Sequence, residues 1–99
     1  MTINVERDFE LVTLEISGRL DTTTAPNLEG VINELSEDTK ELVCDMGELE
    51  YISSAGLRVI LSAYKKMTAN QGTMRIQKAS EMVREIFEMT GLSQMIEKD

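Results

Sequence analysis

The hydrophobic pattern of this chain switches repeatedly between a period of two and a period near 3.6, and each switch marks an element. Ile3 and Val5 alternate with polar neighbours, which predicts a short first strand, and the charged run Glu6-Arg7-Asp8 predicts the turn after it. Val12, Leu14 and Ile16 repeat between Thr13, Glu15 and Ser17, the pattern of a half-buried strand that Gly18 would close. Leu28, Val31, Ile32 and Leu35 then recur at i, i+3, i+4 and i+7, one face of a helix. Thr24 and Pro26 announce that helix, a capping hydroxyl followed by a residue suited to the first turn.

From Glu41 to Met46 a strand is predicted, and its consecutive Leu42-Val43-Cys44 place it centrally, covered on both sides. A loop from Gly47 to Ser53 leads into a second helix beginning near Ser54. Its inward stripe is read as Leu57, Ile60, Leu61, Tyr64 and Met67, ending before Gly72. Met74 and Ile76 alternate with Arg75 and Gln77 in a further half-buried strand. Ser80 caps a third helix that turns Val83, Ile86 and Phe87 inward, and Gly91 stops it. Leu92, Met95 and Ile96 form a last apolar turn or short helix.

The resulting order, β-β-α-β-α-β-α, predicts an α/β fold with a mixed, mainly parallel sheet of four to five strands. Strands separated by helices run parallel, joined by right-handed crossovers. Two of the strands alternate apolar with polar residues, so one sheet surface is wet and the helices gather mainly on the other. No repeat or linker interrupts the chain, and residues 1–99 are read as one domain.

Composition narrows the functions open to such a domain. The formal charge is −8, from 18 acidic and 10 basic side chains, a balance that repels nucleic acid and anionic lipid. No apolar run approaches the ~20 residues of a membrane span, so membrane insertion is not expected either. Cys44 is the single cysteine and lies in an apolar run, which predicts a buried inert thiol, no internal disulfide and a cytoplasmic protein. The chain has no histidine, which removes the commonest general base and most transition-metal sites. No glycine-rich phosphate-binding fingerprint occurs, and neither a cofactor nor a metal is expected.

Functional loops of parallel sheets collect outside the carboxyl ends of the strands. Two segments share that edge here: Arg19-Leu20-Asp21-Thr22-Thr23 after the second strand, and Gly47 to Ser53 after the third. The latter delivers Ser53 and Ser54 to a helix N-terminus, where hydroxyls are good caps. Glycine in a first helical turn costs up to about 1 kcal/mol against alanine, so Gly56 implies the close approach of another backbone and an unobstructed path to Ser54. With no base to activate it, Ser54 is not a catalytic nucleophile. It is well placed to accept a phosphoryl group, whose negative charge a helix N-terminus favours. Arg58, one turn further, is placed to pair with that phosphate. Asp21, Asp45, Glu48 and Glu50 would make the neighbourhood acidic.

The segment from Asp45 through Ser53-Ser54-Ala55-Gly56 to Val59 resembles the STAS domain, in particular the small bacterial anti-sigma factor antagonists. Gly18-Arg19-Leu20-Asp21-Thr22-Thr23-Thr24-Ala25 is similar to that family's element before the first helix, and Thr90-Gly91-Leu92 to its usual ending. The resemblance implies partner switching. An unphosphorylated antagonist binds an anti-sigma factor that is also a GHKL-type serine kinase, and a sigma factor is freed. The kinase modifies a serine that maps onto Ser54, and a serine phosphatase resets it. The resemblance also maps the partner-facing aspartate onto Asp21, beside Thr22, Ser53, Gly56 and Arg58. Where the family often reads Asp-Ser-[Ser/Thr]-Gly this chain has Ser53-Ser54-Ala55-Gly56, which makes Ser53 a competing acceptor. The alternative use of such a domain is a constitutive scaffold or accessory subunit of a stress-signalling or transport complex, in which Ser54 is only a cap.

Overall fold

Two long strands open the chain. In the computed structural model, which describes residues 1–96, β1 (Thr2–Asp8) and β2 (Leu11–Leu20) form an antiparallel hairpin with Ile3 opposite Ile16 and Val5 opposite Leu14. The remaining elements are α1 (Ala25–Asn33), β3 (Glu41–Asp45), β4 (Leu49–Ile52), α2 (Ser54–Ala69), β5 (Thr73–Gln77) and α3 (Glu81–Met89). A 3-10 turn, Ser93–Met95, follows. The main sheet has the order β1-β2-β3-β5, with β2, β3 and β5 parallel, as the helical connections predict.

The core is built on one surface of this sheet. Val12, Leu14 and Ile16 of β2, Leu42 and Cys44 of β3, and Met74 and Ile76 of β5 pack against Leu28 and Ile32 of α1, Ile60 and Met67 of α2, and Val83 and Phe87 of α3. All three helices therefore cover the same face. The central place of β3 follows from its apolar run. Val43 points the other way from Leu42 and Cys44, and is buried in register between Thr13 of β2 and Arg75 of β5. Cys44 is fully enclosed, and burial pushes its thiol up to about 12, so it is held protonated and unreactive.

Two sequence expectations change at the carboxyl end of β2, the end that carries the candidate site. Gly18 does not close the strand. Its left-handed backbone (φ +88°) makes an irregularity in the ladder, and β2 runs on through Arg19 to Leu20. The segment from Gly47 to Ser53 is not a long loop. Leu49–Ile52 is a fifth strand, parallel to the second half of β2, with Arg19 beside Tyr51 and Leu20 beside Ile52. β2 thus pairs with β3 through its first half and with β4 through its second. Leu49 and Ile52 are three residues apart and both buried, so β4 lacks the period-two signature of a strand, and only its partner in the fold defines it.

Smaller corrections concern the hairpin and the helices. Glu6-Arg7-Asp8, expected as the turn, is the end of β1, in register with Thr13, Val12 and Leu11, and the turn falls at Phe9-Glu10. α2 buries Gly56, Val59, Ile60, Ala63 and Met67, while Leu57, Leu61 and Tyr64 are half-buried. The inward face is rotated by about one residue from the predicted stripe, because α2 packs on the sheet beside α1 and presents its larger apolar residues at the margins of the contact. Leu35 is buried but lies beyond the end of α1, which stops at Asn33. From α2, the Lys66 ammonium donates to the carbonyls of Ile32 and Asn33 at 2.9 and 3.3 Å, satisfying the open end of α1. α3 behaves as predicted: Ser80 accepts from Val83 N–H, and Gly91 (φ +76°) closes a Schellman turn with Leu92 N–H on the Phe87 carbonyl at 2.8 Å. Ile96 then bridges to Ile76 on the outer edge of β5.

Candidate functional site

β4 is what positions the serine turn. The turn continues directly from it, and the Ser53 N–H donates to the Leu20 carbonyl at 2.8 Å, extending the β2–β4 ladder by one bond. The chain then enters α2, and here the two serines separate in role. Ser53 is the N-cap: its backbone is extended, and its Oγ accepts from Gly56 N–H at 3.3 Å. Ser54 is the first helical residue and exposed, and among the described residues its hydroxyl makes no hydrogen bond. The capping role read for Ser54 therefore belongs to Ser53, whose carbonyl also receives the first helical N–H, from Leu57 at 2.9 Å. Ser53→Ala is expected to cost about 1 kcal/mol in urea denaturation, the usual worth of such a cap. Ser54→Ala should stay within about 0.5 kcal/mol of the parent. Equal losses would reverse the assignment.

Gly56 makes the close approach expected of it, and makes it inward. It is buried, and a Cβ there would meet Leu20 Cγ at 2.6 Å, the Leu20 carbonyl oxygen at 3.0 Å and Ile52 Cγ1 at 3.1 Å. Its missing side chain seats α2 on the ends of β2 and β4.

Asp21 stands where β2 turns into α1 and is occupied locally. Its Oδ1 accepts from Thr23 N–H at 3.0 Å and from the Thr23 hydroxyl at 2.8 Å, and lies 3.2 Å from Thr24 N–H. Thr24 sits at the N-cap position of α1, but its hydroxyl does not cap the helix. It accepts from Asp21 N–H at 2.9 Å and donates to the Arg19 carbonyl at 2.8 Å, knotting the turn. The Thr23 hydroxyl bond, with the backbone donors, holds the Asp21 carboxyl below its ordinary 3.8. A carboxyl lowered by folding stabilises the protein above its unfolded pKa, and that contribution disappears as pH falls through the lower folded value. In acid titrations below pH 3.8 the parent should therefore lose stability more steeply than Asp21→Asn, and parallel curves would contradict this role.

The other expected residues divide between two clefts. Thr22 and Arg58 share one of about 310 Å³ between the first turns of α1 and α2, with Pro26, Glu29, Ala55 and Ser62 around them. Arg58 is exposed and makes no ion pair or hydrogen bond among the described residues. Asp45 and Glu48 lie instead at a second cleft, with Glu15 and Lys78, where Asp45 accepts from Gly47 N–H at 2.9 Å and pairs with Lys78 at 3.4 Å. Among the described residues no group of three or more acidic or cysteine side chains is arranged to hold a metal ion. No described helix is long and apolar enough to cross a membrane.

Two residues of the neighbourhood carried no signal in the periodicity. Arg19 lays its guanidinium 4.4 Å from the centre of the Tyr51 ring, and its Nε is 3.8 Å from Asp21 Oδ2. Only the cross-strand register of β2 and β4, invisible without β4, brings them together.

The chain belongs to the STAS domain family, whose profile matches residues 2–98. It is 26% identical over 99 residues to the anti-sigma-B factor antagonist of Staphylococcus aureus, covering 97% of this chain and 92% of that one. It is 35% identical over 77 residues to BtrV of Bordetella bronchiseptica, assigned as an anti-sigma factor antagonist, a match over 77% of this chain and 66% of the relative. Among solved structures, an anti-sigma factor antagonist of Mycobacterium paratuberculosis superposes with a TM-score of 0.81 at 28% identity, covering 96% of this chain and 81% of that one. Phosphorylated SpoIIAA of Bacillus superposes at 0.82 over 99% of this chain and 91% of its own, with 18% identity, a likeness of fold. Within the STAS family the chain thus groups with the anti-sigma factor antagonists, which are regulatory binding proteins and not enzymes.

Proposed function

We propose that this domain binds an anti-sigma factor through the serine turn and is released by phosphorylation of Ser54. In this reading the partner is an anti-sigma factor that is also a GHKL-type serine kinase, binding frees a sigma factor, and a serine phosphatase restores the unmodified domain. The cycle runs in the cytoplasm within one STAS domain, residues 1–99. The observation that supports it most directly is the division of labour at the turn. Ser53 supplies the cap, so the exposed Ser54 hydroxyl has no structural task and can be modified without dismantling the helix.

A phosphate on Ser54 adds about −1.5 to −2 charges at the positive end of α2. Glu29 lines the cleft beside Ala55 and stands against it, and Arg58, one helical turn on, is the nearest cation along the helix. The modification then acts by charging the docking face and leaves the fold unchanged. Ser53 is the poorer acceptor, being half-buried with its Oγ engaged on Gly56 N–H.

Incubating the purified domain with the GHKL-type kinase of its own genome and ATP should add one phosphate by mass, and Ser54→Ala should abolish the gain. Ser54→Glu should weaken the complex with that kinase about tenfold or more, by like-charge repulsion at the interface. Phosphate that persists in Ser54→Ala would move the site to Ser53, and unchanged affinity of Ser54→Glu would refute the electrostatic switch.

A further inference from the structure

Leu20 and Ile52 point into the core, so their strand neighbours Arg19 and Tyr51 project from the opposite surface of the β2–β4 ladder. Both are well exposed: the Tyr51 residue by 36% and the Arg19 side chain by 60%. The two side chains are nevertheless in contact. The ring covers one face of the guanidinium at 4.4 Å, and Asp21 holds its Nε edge at 3.8 Å. Among the described residues the guanidinium donates no hydrogen bond. An arginine stacked on an aromatic face with its fork unused has less rotamer freedom left for binding to remove.

Its location ties it to the serine turn. Arg19, on β2, is two residues before Asp21, and Tyr51, on β4, is two residues before Ser53, so the pair lies at the end of the ladder from which both turns leave. We infer that the Arg19–Tyr51 pair is an anchoring point of the docking surface, and that it receives a carboxylate of the anti-sigma factor. This rests on the function proposed above and extends that surface from the α1–α2 side of the turn onto the far side of the sheet. Carboxylate is the group that a planar two-pronged donor binds best among protein side chains. Nucleic acid and anionic lipid offer phosphate instead, but a chain of net charge −8 repels both polymers, leaving an acidic side chain on a protein as the occupant. Arginine and tyrosine are also the side chains on which binding energy concentrates at protein interfaces.

The test measures affinity for the purified GHKL-type anti-sigma factor of the same genome, with thermal melts run on every variant. Arg19→Ala is expected to weaken binding about tenfold. Arg19→Lys, which keeps the charge but not the fork, should weaken it nearly as much. Tyr51→Leu should give a smaller loss, because the guanidinium stays but is no longer held. The salt dependence of the affinity should also flatten in Arg19→Ala. If the parent binds and Ser54→Glu weakens the complex while Arg19→Ala stays within about twofold, the pair merely fastens β4 to β2 and the inference is overturned alone. If the parent shows no binding, the proposed function falls and this inference with it.

Discussion

Leu20→Ala is expected to destabilise the domain by about 3 kcal/mol, the largest effect of any substitution near the site. Leu20 is fully buried as the last residue of β2, its carbonyl receives Ser53 N–H, and its side chain lies directly under Gly56. Truncation removes the transfer energy of three carbons and leaves a void beneath the first turn of α2. That void cannot close easily, because the Ser53 bond and the β2–β4 ladder hold the backbone on one side and α2 on the other. Urea denaturation gives the magnitude. Hydrogen exchange gives the locality: Ser53 and Gly56 N–H should lose protection beyond the global change. A loss under about 1 kcal/mol would mean that the turn does not rest on Leu20.

Gly56→Ala is the complementary case and carries two opposed effects. Alanine is the better helix former by about 1 kcal/mol. Its Cβ, however, would lie 2.6 Å from Leu20 Cγ and 3.0 Å from a backbone oxygen, and overpacking a fixed contact costs about 3 kcal/mol at the upper end of its usual range. The clash wins, and a net loss of about 2 kcal/mol is expected. Gly30→Ala in α1 is the internal control. A Cβ there has no neighbour within 4 Å, so that substitution should stabilise by up to about 1 kcal/mol. In the Leu20→Ala background the Gly56→Ala penalty should shrink by more than about 1 kcal/mol, since the two share one contact. Additive losses would show that the helix seats elsewhere.

Both expectations depend on β4, and β4 separates what could be read from the chain from what could not. β2, β3, β5 and all three helices are legible because each carries its own period: Val12-Leu14-Ile16 at two, Leu28-Val31-Ile32 near 3.6, and Leu42-Val43-Cys44 as a covered run. The far end of β1 is not, because the charged Glu6-Arg7-Asp8 takes its extended form from pairing with Leu11-Val12-Thr13 of β2. Leu49-Glu50-Tyr51-Ile52 has neither period. It becomes a strand because β2 continues beyond the irregularity at Gly18 and offers it an edge. The inward face of α2 departs from its most apolar stripe for a related reason. Periodicity finds the most apolar stripe, but a helix flanked by the sheet and by α1 puts small residues, Gly56 and Ala63, where the approach is closest.

The site divides along the same line. Local sequence suffices to locate a hydroxyl-rich helix start at Ser53-Ser54, since capping chemistry acts over three residues and leaves its mark there. It likewise marks Asp21 as part of the turn before α1. Which serine caps and which stays free was decided by the backbone that β4 delivers: extended at Ser53, helical at Ser54. The inward direction of Gly56, the meeting of Thr22 with Arg58, and the stacking of Arg19 on Tyr51 each join residues from different elements. Short-range rules read neighbours along the chain. These contacts arise only when non-local strand pairing and helix docking bring separate segments within a few ångströms.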